Sequence, residues 1–92
     1  MTTRTEPTTA ERVTDLRARL DLVDAEIRTL AGRRLELSRE IQRVRQAAGG
    51  TRTDLAREMR VISPYTEAYG RQGTAIAMAL LEICRGTSHA AR

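Results

Sequence analysis

Val13, Leu16, Leu20, Val23, Ile27 and Leu30 form an apolar series that passes through Arg34 and continues as Leu37, Ile41, Val44 and Ala48. The steps alternate three and four throughout, the a/d spacing of a helix that buries one seam against another helix. Such a seam predicts one unbroken helix from Thr8 to Ala48 and confines the chain to folds in which helices cover one another. Its anomaly is Arg34, because a guanidinium is always charged and strongly disfavours burial without an anion. A polar seam residue also serves to fix helix register, so a structural role stays open beside a binding one.

A helix of about 40 residues runs about 60 Å at 1.5 Å per residue. A chain of 92 residues is one domain at most, and what remains outside this helix is too short to cover it. A homodimer in which long helices cover one another is therefore expected. With no Phe, no Trp and two Tyr, the composition suits an all-α fold. No segment approaches the roughly 18 apolar residues of a membrane span, and the N-terminus lacks a signal-peptide apolar region, so a cytosolic protein without membrane contact is expected.

One Cys and one His exclude an intramolecular disulfide and leave a metal cluster without ligands. Cys84 lies among apolar residues and reads as a core thiol, and His89 as a solvated tail residue. The formal charge is +4 and all sixteen basic residues are Arg, which a GC-rich coding bias alone can produce. A basic balance fits nucleic acid or an anionic metabolite. Position along the helices has to decide.

Residues 1–7 read as a disordered tail, 8–86 as the helical domain and 87–92 as a flexible tail. Thr8 and Glu11 have capping-box spacing, and Gly49-Gly50 is a stop signal. Gly32, beside Arg33 and Arg34, is a weak point that either relieves crowding or has no role. Thr51 and Asp54 are spaced to cap a second helix from about Thr53 to Ala68, within which Pro64 should produce a bend or an early end. Residues 69–73, YGRQG, read as a turn, and a third helix spans roughly Thr74 to Arg85, with Ile76, Leu80 and Ile83 on one stripe and Ala77, Leu81 and Cys84 beside it. The expected architecture is three helices, one very long and two short.

Most charges on the first helix have ordinary partners: Asp15 with Arg19, Asp24 with Arg28, Glu36 with Arg39 and Glu40 with Arg43. Arg34 and Arg45 differ, having no acidic residue three or four positions away. They are three turns apart, project within about 20° of one another and are separated by about 16 Å along the axis, a spacing able to bracket a small, multiply charged ligand. Asp54, Arg57 and Glu58 share one face of the second helix, either as internal pairs or as a further anion clamp with two acceptors. A site rich in Arg and carboxylates, with no His, Cys or Ser base, suits a reaction that needs no nucleophile.

These residues resemble a known family, the all-helical (AroQ-type) chorismate mutases, over residues 12–86. Leu16-Arg17 with Leu20, Val23-Asp24 and Ile27 resembles the family's opening pattern, and Arg33-Arg34 its double Arg. Arg45 stands where the family has Lys or Arg. Gly49-Gly50-Thr51-Arg52, then Arg57-Glu58-Met59 and Val61-Ile62, is most similar to the short intracellular actinobacterial subgroup.

The resemblance implies an intertwined, domain-swapped homodimer that converts chorismate to prephenate in aromatic amino-acid biosynthesis, without a cofactor. By position it implies Arg34, Arg45 and Glu58 as the catalytic set, and Arg17 from the partner chain gripping substrate carboxylates with Arg34. It further implies Arg45 as donor to the ether oxygen, Arg57 as an anion contact, Asp54 and Glu58 on the ring hydroxyl, and Thr51 in the lining loop. Arg17 and Arg34 lie about 25 Å apart on one helix, so they reach one small ligand only from different chains. Many members place a Gln donor near the end of the last helix, where this chain has Glu82, Cys84 and Arg85. Arg85 is the candidate site residue of that end. The subgroup resemblance also implies activation by a DAHP synthase partner.

Two other activities share the resemblance, an isochorismate pyruvate lyase and an aminodeoxychorismate mutase. A basic coiled-coil module binding nucleic acid or protein would instead carry its arginines on one outer face, whereas here the outer arginines mostly have acidic neighbours.

Overall fold

The computed structural model describes residues 5–50 and 54–85, which form helices and their short flanking segments with no strand among them. Two helices are formed, α1 (Thr9–Ala47) and α2 (Leu55–Arg85). Among the described residues no helix is long and apolar enough to cross a membrane.

Both ends of α1 follow from local chemistry. At the start, the Thr8 amide donates to Glu11 Oε1 at 2.8 Å and the Glu11 amide donates to Thr8 Oγ1 at 3.0 Å, a reciprocal capping box. At the end, the Gly50 amide donates to the Arg45 carbonyl at 2.7 Å and the Gly49 amide to the Gln46 carbonyl at 3.0 Å. With Gly49 at φ 87°, this is a Schellman closure, which satisfies carbonyls that the helix leaves open.

The expected third helix is not a separate element. α2 joins two helical stretches that abut at a kink, with non-helical dihedrals at Tyr69 (φ −137°, ψ 16°) and Gly70 (φ 61°, ψ −137°). The chain reverses there. Arg85 reaches Glu58 at 2.9 Å, although 27 residues of continuous helix would separate them by about 40 Å. The hydroxyls of Thr66 and Thr74 meet at 2.5 Å across the reversal. α2 is thus a hairpin of two helical arms, 55–68 and 71–85. The expected five-residue turn at 69–73 shrinks to Tyr69 and Gly70, since Gly alone adopts those dihedrals without strain and one such residue is enough to redirect the chain.

Three local features refine the expected second and third helices. Pro64 does not end its helix, which continues to the reversal at Tyr69; the bond lost at a proline is one of many in this arm. The second helix begins at Leu55, one residue after its cap: Asp54 Oδ1 accepts from the Arg57 amide at 3.1 Å, and Thr51 lies outside the described residues. The buried stripe of the last arm is Gly73, Ala77 and Leu81, while Ile76 and Ile83 are exposed. Gly73 decides this. A Cβ there would lie 1.8 Å from the Tyr65 carbonyl oxygen, so the arms approach closely only because that position carries no side chain.

The chain divides into two compact units, Met1–Leu30 and Ala31–Arg92. In the first, every described residue except Ala25 is exposed, the apolar seam included. In the second, α1 turns Ala31, Arg34, Leu35, Ser38 and Arg45 toward partial burial, and the small core consists of Ala77 and Leu81.

Candidate active site

The second unit contains a cleft of about 290 Å³. From α1 it is lined by Arg34, Ser38, Ile41, Gln42 and Arg45, residues that recur on one side of the helix at three- and four-residue steps. From the first arm of α2 and its cap come Asp54, Arg57, Glu58 and Val61, and from the second arm Leu81, Cys84 and Arg85. The hairpin therefore brings the last turn of α2 back to its first turn, with α1 as the third wall. Ile41, Val61 and Leu81 supply apolar surface, and the rest is polar or charged.

Four guanidinium groups and two carboxylates line this cleft, 4 − 2, leaving a surplus of two positive charges. A small space with that surplus suits one small dianion, and the apolar walls weaken solvent screening of the charges. Contacts within the cleft hold Arg34, Glu58 and Arg85. Arg85 Nη2 donates to both Glu58 oxygens at 2.9 Å, with the Glu58 side chain largely covered. Arg34 Nη1 donates to Cys84 Sγ at 2.9 Å.

Of the residues singled out in the sequence, Arg34, Arg45, Asp54, Arg57, Glu58 and Arg85 meet in this one cleft. Arg17 belongs to the other unit, where it is exposed, and does not line the cleft; Thr51 lies outside the described residues. Asp54 has one oxygen engaged at the α2 N-cap. Ser38, Gln42 and Cys84 were not legible as lining residues. The first two share the Arg34–Arg45 side of α1, which is the signal that could have found them. Cys84 is corrected from a core thiol to a half-buried group on the cleft wall.

Ser38 and Cys84 also qualify the expectation of a site without a hydroxyl or thiol. The sulfur of Cys84 is occupied as an acceptor for Arg34, and the excess of guanidinium groups over carboxylates makes the cleft first of all an anion-binding one. The arrangement favours binding and electrostatic stabilisation over covalent chemistry.

This chain is 45% identical over 74 residues to the intracellular chorismate mutase of Mycolicibacterium smegmatis, a match covering 80% of the chain and 71% of the relative. The chain belongs to the chorismate mutases. The intracellular chorismate mutase of Mycobacterium tuberculosis is 46% identical over 71 residues, covering 77% of this chain and 67% of the relative. In three dimensions the chain is similar, at a TM-score of 0.81 and 32% identity, to a chain of a solved non-covalent complex of DAHP synthase and chorismate mutase from Corynebacterium glutamicum with bound transition state analog. The match covers 88% of this chain and 98% of that one. No protein-family model matches the chain.

A chorismate mutase is an isomerase that turns chorismate into prephenate on the route to phenylalanine and tyrosine. The rearrangement is intramolecular, so the cleft has to hold one molecule and no second reactant. Chorismate carries two carboxylates, which agrees with the charge surplus counted from the lining.

Proposed function

We propose that this chain performs the rearrangement as a homodimer with two equivalent sites, each combining the cleft of one chain with Arg17 of the other. The observation that carries the reading is the convergence of Arg34, Arg45, Arg57, Asp54 and Glu58 on one small cleft with a surplus of two positive charges. Dimerisation is supported by the seam: Leu16, Leu20, Ile27 and Leu30 are each more than half exposed in the single chain. Exposed apolar residues in so regular a series are an interaction surface, and a second copy presents the matching seam in a domain-swapped pair.

In this reading Arg34 and the partner's Arg17 hold the two substrate carboxylates, with Arg57 as a further anion contact. Asp54 and Glu58 accept from the ring hydroxyl, and Arg85 keeps the Glu58 carboxylate in place. The carbon–oxygen bond breaks as the new carbon–carbon bond forms, and the electrons stay within the substrate. Negative charge grows on the ether oxygen, and Arg45 donates to it. A fixed donor whose contact strengthens in the transition state lowers the barrier, and removing one costs about 10²–10³ in turnover. The solved Corynebacterium glutamicum complex supports a DAHP synthase as partner of this chain, and activation by that partner is what the subgroup resemblance adds.

The shared site makes a sharp test possible. Arg17→Ala and Arg45→Ala are each expected to be nearly inactive with helicity retained. Unfolded together and refolded as a mixture, they regain about a quarter of wild-type turnover, because random pairing gives half heterodimers, each with one intact site. No recovery on mixing would show that Arg17 and Arg45 act within one chain or that Arg17 is not part of the site. Chorismate consumption by the unaltered chain, alone and with DAHP synthase from the same organism, tests the chemistry and the partner. A chain inert under both conditions would be tested next with isochorismate.

A further inference from the structure

Arg34 reaches the cleft from α1 with no acidic residue three or four positions away, and its Nη1 donates to Cys84 Sγ at 2.9 Å. Both side chains are half-buried, and both line the cleft. A long arginine side chain loses much rotamer freedom when it is held in one geometry, so an anion-binding guanidinium benefits from a contact that orients it before the ligand arrives. A carboxylate in that place would also neutralise the charge and compete with the ligand. A thiol sulfur is uncharged and a weak acceptor. It can direct one N–H of the fork while the full positive charge and the remaining donors stay available.

We propose that Cys84 is a positioning residue for Arg34, holding the guanidinium in the orientation that receives a substrate carboxylate. The inference rests on the reading of Arg34 given above and adds to it a role for the last turn of α2. In that turn two successive residues do related work: Cys84 holds Arg34 of α1, while Arg85 holds Glu58 of the other arm. The hairpin is what makes both contacts possible, since it returns residue 84 to α1 and residue 85 to the start of α2.

The test uses the full chain with Cys84→Val, which fills the space without an acceptor, Cys84→Ser, which restores an acceptor, and Cys84→Asp, which supplies a charge. A carboxylate grip made equally in ground and transition state appears in KM, so valine raises KM for chorismate by about tenfold and changes kcat less, on the scale of one charge-assisted hydrogen bond. Serine recovers most of that loss. Aspartate raises KM beyond valine by pairing with Arg34. A valine variant with unchanged KM, or a serine variant as impaired as valine, would overturn the proposal in favour of simple packing.

A second readout needs no substrate. The Arg34 guanidinium resonances in nitrogen NMR spectra, assigned by their loss in Arg34→Leu, show hindered rotation in the unaltered chain and in Cys84→Ser, and free rotation in Cys84→Val. Identical rotation in all three overturns the contact. Should the unaltered chain prove inert toward chorismate, the reading of the site falls, while this measurement still decides whether Cys84 orients Arg34.

Discussion

In the unit Met1–Leu30, α1 presents its apolar seam and keeps almost every described side chain exposed, whereas in Ala31–Arg92 the same helix has a covered side. The covered side is not the seam. At about 100° per residue, Leu30, Leu37, Ile41 and Val44 occupy one sector of about 60°, and Arg34, Arg45, Ser38 and Ala31 occupy the adjoining one. α2 packs toward the second sector, and Leu37, Ile41 and Val44 stay more than half exposed. Arg34 therefore interrupts the seam because it stands on the border between the two. The difference teaches that α1 carries two surfaces with separate purposes: an apolar one that its own chain leaves largely exposed in both units and that meets the cleft at Ile41, and a polar one that the hairpin closes into that cleft.

The largest expected effect comes from attacking the first surface. Leu20→Glu puts a charge into a seam that a second copy would desolvate, and an unpaired buried charge costs several kcal/mol. Since Leu20 is 58% exposed in the single chain, the substitution removes little intrachain packing. Sedimentation should show a monomer and turnover should vanish. A fully active dimer would break the comparison by showing that the seam serves no assembly.

Arg34→Leu attacks the border. We expect kcat/KM to fall by about 10²–10³ while thermal stability holds or rises, because a like-sized apolar residue can replace a half-buried charge. A marked drop in melting temperature with activity retained would instead make Arg34 a register-fixing residue.

Gly73→Ala sharpens the comparison from the hairpin side. The added methyl would lie 1.8 Å from a backbone carbonyl that cannot swing away, and overpacking of this kind costs up to about 3 kcal/mol. Melting should fall and the cleft should lose affinity, while the apolar seam is left as it was. An unchanged melting temperature would mean that the arms separate without cost.

How much of this was legible depended on the range of the signal. The ends of α1 were readable because Thr8, Glu11, Gly49 and Gly50 act on backbone groups within one turn of themselves. Arg34, Arg45, Asp54, Arg57 and Glu58 were readable as candidates because helical spacing groups them before any folding occurs. The covered strip was not, since an a/d pattern marks the most apolar sector and is silent on a mixed sector such as Ala31, Arg34, Leu35 and Ser38. Cys84 was misread for the same reason: its apolar neighbours suggested a core, and only the reversal at Tyr69–Gly70 brings it to Arg34. Pro64 left a bend and an early end both open, because the backbone bond it removes is local while the hairpin contacts that carry the arm on to Ala68 are not.

The smallest effect concerns Gly32, which lies two residues past the boundary between the units. A Cβ built there meets nothing within 4 Å, and its φ is negative, so the glycine relieves no crowding and occupies no conformation that excludes alanine. What remains is its helix propensity, which disfavours the folded state by about 0.8–1.0 kcal/mol relative to Ala. Gly32→Ala should therefore raise thermal stability by that amount, measured by denaturant unfolding, with KM and kcat unchanged. If it stabilises the chain but slows turnover, then α1 has to flex between its two surfaces during the reaction, and the cleft and the seam are less independent than their geometry suggests.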